Sequence, residues 1–333
     1  MRLETYHQSY LTRAAKFCKL NCWLHFVKSQ KPDFRSMRSI AGSTIHRFLY
    51  LHKEVPEDCF LDNVWWSDQW DEIWNYCLEN PRNPAEKNIP LKYPTDFEDH
   101  YHDLKNDGLS MLRGYYINKP DCKVILAEYN FKTKIGKYPF EGTIDQVWEI
   151  NNQLWIVDFK SGAFRVPADD TVLESYQAAV YALGLRDTKG FVATHFVWCN
   201  LRDFIPYTPT IKGKNKIIYK NLSSTKNFAM VEWLKNNGKQ VVDRETGELT
   251  DKYALNTGQL RGPGLYIFEL SKEWYDSREY LITSAAGELA LSNPTPMISE
   301  NCEICDMRTQ CRAKIYNKVL PKELLNHLKG DEP

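Results

Sequence analysis

The chain has 333 residues, 43% of them hydrophobic and 26% charged, with a formal net charge of +0 at pH 7. That composition is ample for one large core or two modest ones and places the chain among ordinary globular proteins. Balanced charge excludes bulk attraction to phosphate, so any nucleic-acid contact has to come from local basic surface. No apolar run approaches the roughly 18 residues that span a bilayer. Met1 to Phe26 carries Arg, Lys, Glu and His without the apolar stretch of a secretory leader. A cytoplasmic location, in a nucleoid or a host cytoplasm, and no membrane partner are the expectation. Nine cysteines in such a chain read as thiols or metal ligands, not as disulfides.

In chain order, apolar residues at helical spacing (Phe34, Met37, Ala41, Ile45, Phe48, Leu49) predict a helix from Asp33 to about Lys53, with Asp33 as its cap. A second helix is expected over Asp68–Glu79 after a Trp-rich entry, and a third over Asp96–Tyr116. Trp66, Trp70 and Trp74 recur at i, i+4 and i+8, the mark of a packed face more than of a stacking platform. Short β-like runs follow at Val124–Phe131, Phe140–Ile150 and Leu154–Lys160, with Asn151-Asn152 as a hairpin turn. Then come a helix over about Thr171–Leu185 and a strand over about Phe191–Asn200. Further on stand a helix near Met230–Gln240, a strand at Leu265–Leu270 and a helix from Lys272 to Leu291, ended by the Pro-containing loop Ser292–Pro296. This order predicts an α/β layered core with a central mixed sheet flanked by helices. The expected divisions are an N-terminal helical segment (1–53), a helical insertion (54–120), the core (121–291) and a Cys-containing C-terminal segment (292–333).

The strand LWIVDFK alternates so that Leu154, Ile156, Asp158 and Lys160 share one face, and Trp155, Val157 and Phe159 the other. A strand apolar on both faces is central in its sheet, and a charged pair at its end is costly to bury unless it meets a metal or a partner. The hairpin brings Asp145 beside Asp158. Two adjacent carboxylates ionise together only with a cation between them, and oxygen ligands suit Mg²⁺ or Mn²⁺. Lys160 beside that metal would orient or deprotonate a water and stabilise phosphoryl charge. The plain alternative for D-x-K alone is a surface ion pair.

The ordered motifs Gly142-x-Ile144-Asp145, Val157-Asp158-Phe159-Lys160-Ser161-Gly162 and Gln177-x-x-x-Tyr181 resemble the RecB-like branch of the PD-(D/E)xK nucleases. The resemblance implies a restriction-endonuclease-like fold and hydrolysis of phosphodiester bonds in DNA. It implies that Asp145, Asp158 and the Phe159 carbonyl bind Mg²⁺ or Mn²⁺, that Lys160 is catalytic, and that Gln177 and Tyr181 lie near substrate phosphate. Gly42-x-x-x-His46 matches the family's early-helix motif, with His46 as a further ligand and space over the imidazole left by Gly42. Glu128 stands where the family often has a supporting Glu.

Cys302, Cys305 and Cys311 form a C-x₂-C-x₅-C cluster that wants a fourth ligand and a soft metal, iron–sulfur or Zn²⁺. With Cys18 and Cys22 near the start, this is similar to the iron–sulfur subgroup of these nucleases, the AddB-type and CRISPR-associated spacer-acquisition enzymes. The resemblance implies a [4Fe-4S] clamp joining the two ends, with Cys22 preferred and Cys18 as the alternative; both lack the Pro that usually follows. Cys59, Cys77, Cys122 and Cys199 show no ligand spacing and read as ordinary thiols. Lys212, Lys214, Lys216 and Lys220, with Tyr207 and Tyr219 interleaved, form a basic stretch that reads as a DNA contact or as a solvated loop. The expected function is a metal-dependent DNA nuclease, an exonuclease on single strands or DNA ends. With no P-loop present, a helicase or recombination partner would be separate. The alternatives are a non-catalytic DNA-binding or adaptor subunit with an iron–sulfur or zinc clamp, and a zinc-stabilised interaction protein with a coincidental D-x-K.

Overall fold

The computed structural model describes residues 5–16, 35–81, 87, 89, 91–92, 97–162, 175–204, 264–291 and 311. Cys18, Cys22, Cys302, Cys305, the lysines from Lys212 to Lys220 and the helix expected near Met230 lie outside these residues.

The longest pairing is a hairpin of β3 (Lys123–Ile135) and β4 (Tyr138–Ile150), turned at Gly136, whose φ of 58° suits a residue without a Cβ. Strand β4 returns through Asn151-Asn152 into β5 (Gln153–Lys160). Both Asn residues have positive φ (52° and 60°), as a type I′ turn requires, and Asn tolerates that conformation better than most residues. Strand β6 (His195–Asn200) runs parallel to β5, and β7 (Leu265–Glu269) runs antiparallel to β6. The sheet order β3-β4-β5-β6-β7 is mixed and puts LWIVDFK at its centre, as its two apolar faces predict. A separate two-residue parallel pair joins β1 (Arg35–Ser36) and β2 (Leu91–Lys92).

Two cores lie on opposite faces of the five-stranded sheet. Helices α1 (Gln8–Lys16), α5 (Tyr176–Lys189) and α6 (Lys272–Leu291) cover the face with Ile144, Ile156 and Phe196. Helices α2 (Met37–Leu51), α3 (Asn63–Glu79) and α4 (Phe97–Asn118) cover the face with Trp155, Val157 and Phe159. The stretch read as an insertion thus supplies two of the three helices on this face. Trp66, Trp70 and Trp74 are buried, and Trp66 stacks on Phe48 with centroids 5.3 Å apart. Truncating one such ring to Ala costs about 3–5 kcal/mol.

Three helix starts differ from the sequence expectation, each for a capping reason. Helix α2 begins at Met37 because Ser36 accepts from the Ser39 N–H, so Ser36 takes the cap role assigned to Asp33. Helix α3 begins five residues early because Asp62 accepts from the N–H groups of both Val64 and Trp65, which brings the Trp-rich entry inside the helix. Ser175 caps α5 by accepting from Ala178. The far end of α3 has an unusual stop. The buried Arg35 guanidinium donates to the carbonyls of Cys77 and Leu78, which the helix leaves unpaired.

Candidate active site

The site lies where β4 and β5 part. Their last paired residues are Gln146 and Val157. Beyond that point the Phe159 N–H has lost its strand partner, and Asp145 Oδ2 accepts it at 2.9 Å. One carboxylate oxygen of Asp145 is thereby fixed to the neighbouring strand. The other, Oδ1, meets His46 Nδ1 at 3.2 Å, from the third turn of α2. Phe159 is held from behind by edge contacts with Tyr115 and Trp148, so its backbone is a firm anchor.

Glu128 completes this corner. His46, Glu128 and Asp145 each offer a ligand atom, and these atoms lie within 4.8 Å of one another. Glu128 has φ 45°, a left-handed conformation uncommon outside glycine. Such backbone strain persists only where surrounding structure enforces it. The sequence reading gave Glu128 only a supporting role; its place among the potential donors comes from β3 folding back on β4, which no local motif encodes.

Asp158 and Lys160 project from the same face of β5, as alternation predicts. Lys160 forms an ion pair with Asp158 Oδ2. Gln177, on the first turn of α5, donates from Nε2 to Asp158 Oδ1 at 2.7 Å and accepts from Lys160 Nζ at 3.1 Å through Oε1. The amide has one orientation that satisfies both neighbours, and its Nε2 also lies 3.4 Å from the Tyr181 hydroxyl one turn on. Asp158 is buried, and its Oδ2 has no directed hydrogen bond among the described residues. Burial pushes the Asp158 carboxyl above its ordinary value; Lys160 opposes this and Asp145 adds to it.

Close packing puts α5 over these residues. A Cβ at Gly184 would come within 2.3 Å of the Phe131 ring, and one at Gly142 within 2.8 Å of the same ring. Phe131 is wedged between two glycines, so helix and hairpin approach closely enough for Gln177 to reach Asp158. Gly42 is different. A Cβ there would make an ordinary 3.5 Å contact with Ser161 Oγ, so the space over His46 is modest.

The cleft has a volume of about 480 Å³, and its wall includes a segment that the sequence did not flag. Tyr6 pairs with β4 through Tyr6 N to Pro139 O (2.8 Å) and Glu141 N to Tyr6 O (2.9 Å), which sets His7, Gln8 and Ser9 along the cleft. His7 Nε2 lies 2.7 Å from Glu141 Oε1, and Lys132 lies 3.2 Å from Oε2. Burial pushes the Glu141 carboxyl up, but Lys132 and His7 outweigh it and hold it below the ordinary value.

A family model described as the PD-(D/E)XK nuclease superfamily matches residues 13–312. The chain belongs to this superfamily. Its α/β architecture, with a mixed five-stranded sheet flanked by helices, is consistent with the restriction-endonuclease-like core. PD-(D/E)XK proteins are generally nucleases that use Mg²⁺ or Mn²⁺, and membership implies DNA as the substrate. No curated protein matches the chain. The match is to the superfamily as a whole and names no iron–sulfur subgroup. Of the four cysteines of the expected clamp, only Cys311 is among the described residues, where it is half-buried. Cys77 and Cys199 are buried and Cys59 and Cys122 half-buried, in keeping with ordinary thiols, and burial pushes the Cys199 thiol well up. Among the described residues no helix is long and apolar enough to cross a membrane.

Proposed function

We propose that this protein hydrolyses phosphodiester bonds in DNA, acting as an exonuclease on single strands or free ends. The observation that carries the reading is the gathering of His46, Glu128 and Asp145 donor atoms within 4.8 Å, beside a buried Asp158 ion-paired with Lys160. One imidazole nitrogen and several carboxylate oxygens suit Mg²⁺ or Mn²⁺, with His46, Asp145, Asp158 and the Phe159 carbonyl as ligands and Glu128 in reach. A bound divalent ion supplies Lewis acidity at the phosphoryl group and makes a water more acidic. Lys160 presents its ammonium to the phosphoryl oxygens and orients the attacking water. Gln177 restrains Lys160 and Asp158 relative to each other, and Tyr181 supports the amide and faces the substrate phosphate.

Size supports a single-stranded substrate. A cleft of about 480 Å³, walled by α1 on one side and α5 on the other, is in the range of pockets for one small ligand, about 300–1,000 Å³. That space takes a nucleotide or two of one strand. The Cys302, Cys305 and Cys311 spacing further supports a [4Fe-4S] clamp with Cys22 (alternatively Cys18), or a Zn²⁺ site. The clamp would be structural to a nuclease that works with a separate helicase or recombination partner. The basic stretch Lys212, Lys214, Lys216 and Lys220 is retained as a DNA contact, and the divisions at 53, 120 and 291 as segment boundaries of the chain.

The test is cleavage of end-labelled single- and double-stranded DNA by anaerobically purified protein with Mg²⁺ or Mn²⁺, beside Asp158→Ala and Lys160→Ala. Cleavage of single strands that both substitutions abolish, with melting unchanged, is the expected result. Full activity in either variant, or no cleavage by the wild type, overturns it. Visible absorbance near 400 nm that disappears in Cys305→Ala is expected for the cluster, and a colourless zinc protein refutes it.

A further inference from the structure

The outer half of the β3–β4 hairpin carries a feature that hydrolysis at the cleft does not use. Lys132 and Lys134 alternate on one face of β3, opposite Glu141 and Pro139 of β4, while Phe131 and Ile135 are buried on the other face. Lys137 stands at the turn, its ammonium 5.4 Å from the Tyr138 ring centroid. All three lysines are exposed. Among the described residues neither Lys134 nor Lys137 has a carboxylate within ion-pair distance. The strip is continuous with the cleft through Glu141, which lines the cleft and contacts Lys132. Glu141 itself is covered by two basic groups, Lys132 and His7, so it does not repel an incoming phosphate as a bare carboxylate would.

We propose that this strip is the track along which one DNA strand runs into the cleft, its phosphates contacting Lys132, Lys134 and Lys137. The proposal rests on the nuclease reading for the identity of the strand. Charge complementarity selects a polyanion: the strip has three ammonium groups and one neutralised carboxylate. Geometry selects an extended chain, because alternate residues of a strand lie about 6.8 Å apart, a spacing at which successive phosphates of a single strand meet successive lysines. A hairpin presents these groups in a fixed line, unlike a loop. The tip is braced: Gly136 packs so closely on α6 that a Cβ would meet Thr283 at 2.6 Å, and Tyr6 is hydrogen-bonded to the neck at Pro139 and Glu141.

The experiment measures binding of a fluorescent single-stranded oligonucleotide to the full chain in Ca²⁺, across salt concentrations. It compares wild type, Lys134→Gln/Lys137→Gln, and Lys123→Gln at the other end of β3, an exposed lysine paired with Glu149. Each lost phosphate contact lowers the slope of log K against log salt by about 0.7, so the double variant should lose about 1.4. That corresponds to about 25-fold weaker binding at 0.1 M salt, scaled from equal affinity at 1 M. Lys123→Gln should keep the wild-type slope. An unchanged slope in the double variant, an equal loss in Lys123→Gln, or no binding by the wild type overturns the proposal. So does a duplex of the same length that binds with the same lysine dependence. Cleavage is read separately: a wild type that binds with the predicted slopes but cuts nothing supports the track and refutes the nuclease reading.

Discussion

Gly184→Ala sets two physical effects against each other. In a helix interior Ala is better than Gly by about 1 kcal/mol, so propensity alone makes the variant more stable. Packing says the reverse. The new methyl would sit 2.3, 2.6 and 2.7 Å from three atoms of the Phe131 ring, which is itself 3% exposed and has no room to retreat. Overpacking of this kind costs about 1–3 kcal/mol, and three contacts this short belong near the upper end. We expect a net loss of about 2 kcal/mol, read as a lower urea midpoint with an unchanged slope. Relief of the clash has to move α5 away from the hairpin. Gln177 would follow, loosening its 2.7 Å bond to Asp158, so nuclease turnover should fall by more than stability alone requires. Phe131→Leu in the same chain should restore part of both, with a coupling energy above about 1 kcal/mol. A Gly184→Ala protein with an equal or higher midpoint and full turnover would refute the wedge as the device that positions Gln177.

Three further outcomes follow from particular residues. Burial pushes the Asp203 carboxyl up from 3.8 to about 6, although the Tyr266 hydroxyl donates to it at 2.7 Å. Its folded form favours the proton, so the associated stability is complete below about pH 4 and is lost as pH rises through about 6, on the order of 3 kcal/mol in all. Asp203→Asn should therefore gain on the wild type between pH 4.5 and 7 in urea unfolding; a constant difference refutes the assignment. Glu128→Gln should weaken Mn²⁺ binding in calorimetry while keeping the fold, and unchanged affinity removes Glu128 from the metal's reach. Gly42→Ala, whose Cβ meets only Ser161 Oγ at 3.5 Å, should keep near-wild-type activity, and a large loss would mean that the space over His46 matters more than its contacts show.

The central strand was legible because period-two alternation is a local property: LWIVDFK reveals its two faces and its central place without any partner. The Asn151-Asn152 turn was legible for the same reason, since Asn advertises positive φ. The Gly136-Lys137 turn was missed because one glycine beside a lysine is weaker punctuation, so both strands of the hairpin came out short. Helix starts were misplaced where two good caps stand close together: Asp33 and Ser36 have the same capping chemistry, and Ser36 caps the helix. At the site, Asp145, Asp158, Lys160, Gln177 and His46 come together from motifs that the sequence displays. Glu128 as a potential ligand and the Tyr6–Ser9 wall were not visible, because both depend on long-range pairing. Tyr6 binds residues more than 130 positions away with backbone atoms that carry no side-chain signature.

That backbone pairing has a consequence for handling the protein. Strand β4 extends well past the end of its β5 partner, and among the described residues only Tyr6 pairs with that edge of residues 138–145. Tyr6 caps this edge at Pro139 and Glu141. Deleting the first seven residues would uncover the Pro139 carbonyl and the Glu141 N–H, edge groups of the kind on which other chains add as strands. A shortened form should therefore associate with itself as concentration rises.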